Sequence, residues 1–157
     1  MKVTKNPAYS AYQNAKTRCY NKNRPTWKDY GGRGIKMCDS WLKDPKKFLR
    51  WAQKNGYKKG LQLDRKNTNG NYSPINCRFV TPSVNCANTR LISKNNTSGF
   101  RGVTKHPRPK GIFWRARIAN EGNIKSLGVF KTPEEAARAY DNFIIKNNTE
   151  HPLNFKN

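Results

Sequence analysis

The chain has 157 residues, 32 of them Lys or Arg and 9 of them Asp or Glu, a formal net charge of +23. Apolar residues make up 34%, about 41% once the 11 glycines are added, against roughly 45–50% in typical globular chains; this excludes one large core but not two small ones. With 4 Trp, 7 Tyr and 7 Phe the chain is not a disordered basic tail. No apolar run approaches the ~20 residues of a bilayer span, and the N-terminal MKVTKNPAYS has no signal-type stretch, so a cytoplasmic or nucleoid-associated protein without membrane contact is expected. The charge points to a polyanionic partner, because Lys and Arg on phosphates release condensed counterions. Residues 1–92 carry 20 basic and 4 acidic side chains and residues 93–157 carry 12 and 5, so both parts are basic.

In chain order, residues 8–21 read as a helix with Ala8, Tyr12, Ala15 and Cys19 near one face. Tyr30–Ile35 is a Gly-rich turn leading into Lys36-Met37-Cys38, and no Walker lysine follows it. Residues 45–55 form a second helix, with Phe48, Leu49 and Ala52 inward and Lys46, Lys47, Arg50 and Lys54 outward. Leu61–Arg65 is a short strand, Lys66–Tyr72 a polar turn, Ser73–Thr81 a second extended run, and Ser83–Arg90 a helix capped by Thr81 or Ser83. That order is a ββα unit. Cys19, Cys38, Cys77 and Cys86 contain no C-x-x-C spacing, which favours buried reduced thiols over structural zinc.

Residues 93–99, SKNNTSG, are polar and turn-rich and are expected to link a first domain, 1–92, to a second, 100–157. In the second, residues 100–105 read as a strand, 106–111 as a Pro/Gly loop, 112–119 and 124–130 as strands, and 120–123 as the hairpin turn between them. From Trp114 the pattern alternates, with Trp114, Ala116 and Ile118 on one face and Arg115 and Arg117 on the other. Thr132, Pro133 and Glu135 spell a helix start with a capping box, and Ala136, Tyr140, Phe143 and Ile144 form its apolar stripe. The fold class is therefore α+β: a ββα domain with flanking helices, then a three-stranded antiparallel sheet packed on one helix. A sheet with arginines on its open face has a shape that can lie in the major groove of DNA.

Two resemblances carry this further. Phe100-Arg101-Gly102-Val103, Trp114, Leu127-Gly128-Val129-Phe130, the run Thr132–Asp141 and Leu153-Asn154-Phe155 resemble the APETALA2 (ethylene-response-factor) DNA-binding domain. That resemblance implies that the sheet enters the major groove of double-stranded DNA, with Arg101, Lys105, Trp114, Arg115, Arg117 and Lys125 as contacts. In the first part, Arg18-Cys19, Tyr30–Ile35, Cys38, Trp41, Leu63-Asp64-Arg65, Gly70-Asn71-Tyr72, Pro74, Asn76-Cys77-Arg78 and Asn88 are similar to phage-borne HNH (ββα-metal) endonucleases. HNH modules fused to APETALA2-type domains occur as homing endonucleases of phages and mobile elements, which implies a bacterial host cell.

HNH chemistry needs a carboxylate and an amide or His to hold a divalent metal such as Mg²⁺, a His to activate water, and an Asn to orient that His. By resemblance Asp64 and Asn88 are the metal ligands and Asn76 the orienting residue. The general-base position holds Arg65, which stays protonated and cannot take a proton from water. Both histidines, His106 and His151, lie in the second part, and between residues 45 and 120 Asp64 is the only acidic side chain among 17 Lys and Arg. An ion pair between Asp64 and Arg65, or Tyr72 as a substitute base, are further readings of this segment. The expected function is sequence-specific binding of double-stranded DNA on a nuclease scaffold, with nuclease activity lost or weak, as a transcriptional repressor or regulator. The alternative is an active single-metal homing endonuclease.

Overall fold

The computed structural model describes residues 3–88, 95–120 and 122–155. Its contacts divide the chain into two compact units, Met1–Asn85 and Cys86–Asn157. Among the described residues the architecture is mixed α and β, with one two-stranded and one three-stranded sheet, both antiparallel. Thr89 and Arg90 of the expected helix, Ser93 and Lys94 of the expected linker, and Glu121 of the hairpin turn lie outside the described residues.

In the first unit, α1 (Tyr9–Tyr20) buries Tyr12, Ala15 and Cys19, as their spacing requires. Two 3-10 turns follow, Pro25–Asp29 and Gly31–Arg33, then the short helix α2 (Asp39–Lys43) and α3 (Pro45–Lys54). A side chain at Gly31 would collide with the Cys19 carbonyl and the Trp27 indole, so this turn must carry glycine. Asp44 caps α3 by accepting from the Lys46 N–H at 2.9 Å, and Pro45 fits the first helical turn. Phe48, Leu49 and Ala52 point into a core rich in rings: Trp41 meets Phe48 edge-on at 4.9 Å and Trp51 at 4.8 Å, and Trp51 meets Phe79 at 5.5 Å. Strands β1 (Gln62–Arg65) and β2 (Cys77–Val80) pair with Asp64 opposite Arg78 and Arg65 opposite Cys77. Helix α4 (Pro82–Ala87) follows and straddles the division between the units; the Asn85 amide donates to Gln62 Oε1 on β1 at 2.6 Å.

In the second unit, β3 (Val103–Arg108), β4 (Gly111–Asn120) and β5 (Asn123–Phe130) form a meander in the order β3-β4-β5, backed by α5 (Pro133–Lys146). The capping box at Thr132 and Glu135 is complete in both directions. Val103, Ala116 and Ile118 face Ala136, Ala137, Tyr140 and Ile144, with Leu127 filling the gap. Gly102 has φ +72, and a Cβ there would strike the Tyr140 ring and the Arg117 carbonyl. Asp141, buried on α5, accepts backbone N–H bonds from Asn154 at 2.8 Å and Phe155 at 2.9 Å, and the Asn154 side chain clasps both backbone groups of Arg101.

Two boundaries differ from expectation. The division falls after Asn85, and part of the expected linker belongs to the second fold: the Asn96 amide donates to Phe100 O at 2.7 Å and Ser98 Oγ to Val103 O at 3.0 Å. The loop expected at 106–111 is mostly strand, because β3 runs on through Pro107 to Arg108. β3 is an edge strand, where a missing N–H is tolerated.

Candidate nucleic-acid interface

The register of the three-stranded sheet sorts its side chains onto two faces. Val103 opposes Ala116, Lys105 opposes Trp114, and Ile118 opposes Lys125; these share the helix side. Thr104, His106 and Arg108 on β3 share the open side with Phe113, Arg115 and Arg117 on β4 and with Ser126 and Val129 on β5. A bulge at Ala116/Arg117 lets Leu127 turn inward and keeps Ser126 opposite Arg117. The strands carry five cations, Lys105, Arg108, Arg115, Arg117 and Lys125, and no carboxylate.

Of the six DNA contacts implied by resemblance, the structure brings Arg115 and Arg117 together on the open face. It does not put the other four there. Trp114 packs half-buried against the Val103 and Ala136 cluster, and the Lys105 ammonium stands 6.0 Å from its ring centre. Lys125 turns toward α5, with its ammonium 5.0 Å from the Phe143 ring centre. Arg101 precedes β3, its backbone held by Asn154, and its charge acts on the buried Tyr140 phenol.

Two open-face residues were missed, His106 and Arg108. The Arg108 guanidinium lies 5.5 Å from the Phe113 ring centre, and Arg115 Nη2 stands 2.8 Å from His106 Nδ1, the neutral ring accepting from the guanidinium. Desolvation, then the charges of Arg115 and Arg108, lower the His106 pKa from its ordinary 6.5. Thr104, His106 and Arg108 alternate as Arg115 and Arg117 do; Pro107 hid that signal.

The residues matched to the nuclease centre are arranged differently. Asp64 is 4% exposed, and its Oδ2 accepts from Arg78 Nε at 3.0 Å across the hairpin. Arg65, buried at 7% exposure, points to the other face of β1, donates to Gly70 O at 2.8 Å, and lies 5.0 Å from the ring centres of both Tyr30 and Tyr72. Asn76 staples the turn between the strands: its amide donates to Asn67 O and Asn71 O and its Oδ1 accepts from Asn67 N. Asn88 follows the last residue of α4 and belongs to the second unit. Burial pushes the Tyr72 phenol up to about 12 against the opposing pull of Arg65 and Arg18, which removes it as a base at neutral pH.

These residues do not fit a divalent metal at Asp64. Its carboxylate is buried and already neutralised by a guanidinium, and a second cation there would meet that charge at contact distance. Among the described residues no group of three or more His, Cys, Asp or Glu side chains could hold a metal ion. All four cysteines are free of disulfides, and burial pushes the Cys19 thiol up to about 11 and the Cys77 thiol up to about 12. No helix among the described residues is long and apolar enough to cross a membrane. Comparison with protein-family models, curated proteins and solved structures finds no match to this chain.

Proposed function

We propose that the chain is a sequence-specific double-stranded-DNA-binding protein that does not cut its site. In this reading Cys86–Asn157 is an APETALA2-type reading unit and Met1–Asn85 a unit of HNH ancestry that adds flanking phosphate contacts. The observation that carries the proposal is the open sheet face, where Arg108, Arg115 and Arg117 stand together on strands without a carboxylate. Planar guanidinium forks on a pleated surface suit guanine edges in a major groove, with phosphates on either side. In the first unit, Lys46, Lys47, Arg50 and Lys54 line the exposed side of α3, whose N-cap Asp44 also stands 3.8 Å from the Arg50 guanidinium at the surface. That face suits sequence-independent backbone contact. The commitments of Asp64, Arg65 and Asn76 within the fold support binding without cleavage. Bound to a long site, such a protein excludes other proteins from it, as a repressor does.

The test is selection of bound duplexes from a random pool, then anisotropy titrations on the enriched and on scrambled duplexes at fixed salt, with a parallel nicking assay in Mg²⁺ and Mn²⁺. An enriched sequence bound more tightly and left intact is expected. A pool without enrichment would remove the sequence-reading claim. Rapid metal-dependent cutting would establish the endonuclease alternative.

A further inference from the structure

The first unit contains a cleft of about 230 Å³ between α1 and the start of β1. Ser10, Asn14, Arg18, Tyr57, Gln62 and Asn85 contribute to its walls, and no Asp or Glu lines it. Ser10, Asn14 and Arg18 are four residues apart on α1 and so share one helix face. Among the described residues that line the cleft, Arg18 alone is charged. Its guanidinium is half-buried, 5.2 Å from the centre of the Tyr30 ring, and hydrogen-bonded to the Tyr72 phenol, and neither described ion pair involves it. Around it stand uncharged donors: the exposed Asn14 amide, and the Gln62 amide, whose Oε1 is taken by Asn85 while its N–H₂ is left over.

Burial works against the Arg18 charge, but Tyr30 and Tyr72 outweigh it and keep the guanidinium charged, in a fold that already carries +23. An oxyanion seated beside it would balance part of that charge. A carboxylate offers two oxygens in one plane, whereas a phosphate offers oxygens in several directions, matching donors spread over α1 and β1. We infer that this cleft is a phosphate subsite in which Arg18 is the charged anchor and the Asn14 and Gln62 amides are the neutral donors. The phosphate belongs to a nucleic-acid backbone or to a free nucleotide. The inference rests on the DNA-binding reading only in its choice of backbone phosphate as the first source. None of the residues assigned above a nuclease or base-reading role, Asp64, Arg65, Asn76, Asn88, Arg115 and Arg117, lines this cleft.

The test follows the side-chain amide signals of Asn14 and Gln62 and the Nε–H of Arg115 by NMR on the full chain. One arm titrates a duplex and the other adenosine monophosphate, both at constant ionic strength. Shifts of Asn14 and Gln62 with duplex alone support the subsite and assign it to backbone phosphate. Shifts with the nucleotide support it and assign it to free phosphate esters. Absence of cleft shifts in both arms overturns it. If duplex moves Arg115 and leaves the cleft silent, the subsite falls and DNA binding stands; if the nucleotide moves the cleft while no duplex binds, the reverse holds. Asn14→Asp and Gln62→Glu change exposed side chains and should preserve the fold. For backbone phosphate each should flatten the slope of log K against log salt by about 0.9, the share of one phosphate. Asn14→Ala, which removes a donor and adds no charge, should weaken binding less than Asn14→Asp; equal binding by all three variants and the parent also overturns the subsite.

Discussion

Replacing Asp64 with alanine separates a catalytic carboxylate from a structural one. A metal-holding aspartate can be removed with little effect on folding, since its charge is there for a ligand. Here Asp64 Oδ2 is 3.0 Å from Arg78 Nε, and the two side chains keep 5% and 20% of their exposure. At charge centres about 4 Å apart and an effective dielectric near 20, their attraction is about 4 kcal/mol. Removing one partner of a buried pair strands the other and costs about 3–5 kcal/mol; Arg78 retains some hydration, so the low end, about 3 kcal/mol, is expected. For a unit of this size that lowers the melting temperature by about 12–24 °C. Urea unfolding followed by Trp fluorescence in a Trp114→Phe background reports the first unit, whose Trp27, Trp41 and Trp51 remain. The double variant Asp64→Ala/Arg78→Ala should lose less than the sum of the single variants, because no charge is left stranded. An Asp64→Ala stability within about 0.5 kcal/mol of the parent would refute the structural role.

Arg65→His would put a base where HNH enzymes have one, but it also removes the bond to Gly70 O and the guanidinium between Tyr30 and Tyr72. We expect a loss of about 2–4 kcal/mol in unfolding free energy and no gain of plasmid nicking in Mg²⁺; restored cutting would reinstate a catalytic centre. Arg115→Ala and Arg117→Ala should each cost about 1–3 kcal/mol on the selected duplex and much less on a scrambled one, while equal losses in anisotropy would mean phosphate contact alone. Because the folded pKa of His106 lies below 6.5, the unfolded chain binds the proton more readily. Its contribution to stability is therefore present above about pH 6.5 and fades as pH falls through the lowered value. A DNA phosphate at the sheet would favour the protonated ring, so affinity should rise as pH drops below about 6.5 and stay flatter in His106→Gln; identical pH profiles in calorimetry would place His106 away from the interface.

The elements with strong local signals were legible in the sequence. α3 announces itself through Asp44-Pro45 and the spacing of Phe48, Leu49 and Ala52, and α5 through the capping box at Thr132. β4 was legible because Trp114–Ile118 alternates between core and solvent. β3 was cut short because Pro107 reads as a strand breaker unless the strand is known to lie on an edge, a property of the whole sheet. The same limit explains Lys125, whose face is fixed by pairing with Ile118 and by the bulge beside Arg117. The partners of Asp64 and Arg65 were out of reach for a related reason. Adjacent strand residues point to opposite faces, so Arg65 faces Tyr30 and Tyr72, while the bonded cation comes from the residue opposite Asp64 in the register, 14 positions away. Residue type marked these positions as unusual for an HNH centre; register decided what they do.

In the second unit three of the described carboxylates, Glu134, Glu135 and Asp141, are used on the helix side. Glu134 and Glu135 occupy the first turn of α5, where Glu135 closes the capping box, and Asp141 is buried among the N–H groups of the C-terminal segment. The open face is thereby left with cations and no internal counter-charge on its strands. This arrangement predicts a trade between stability and binding at one position. Ser126 is exposed on β5 directly opposite Arg117, so Ser126→Glu would place a carboxylate within cross-strand reach of that guanidinium. An opposite-charge cross-strand pair contributes about 0.2–1 kcal/mol, so the unit should unfold at an equal or slightly higher temperature. The same carboxylate would face a DNA phosphate and occupy the fork of Arg117, and affinity for the selected duplex should fall by about tenfold or more, the equivalent of losing one guanidinium–base contact. Melting curves and anisotropy on the one variant read both sides of the trade. A variant that is as stable as the parent and binds as tightly would show that Arg117 and its neighbours do not face the DNA, and the reading surface would then have to be sought on another part of the chain.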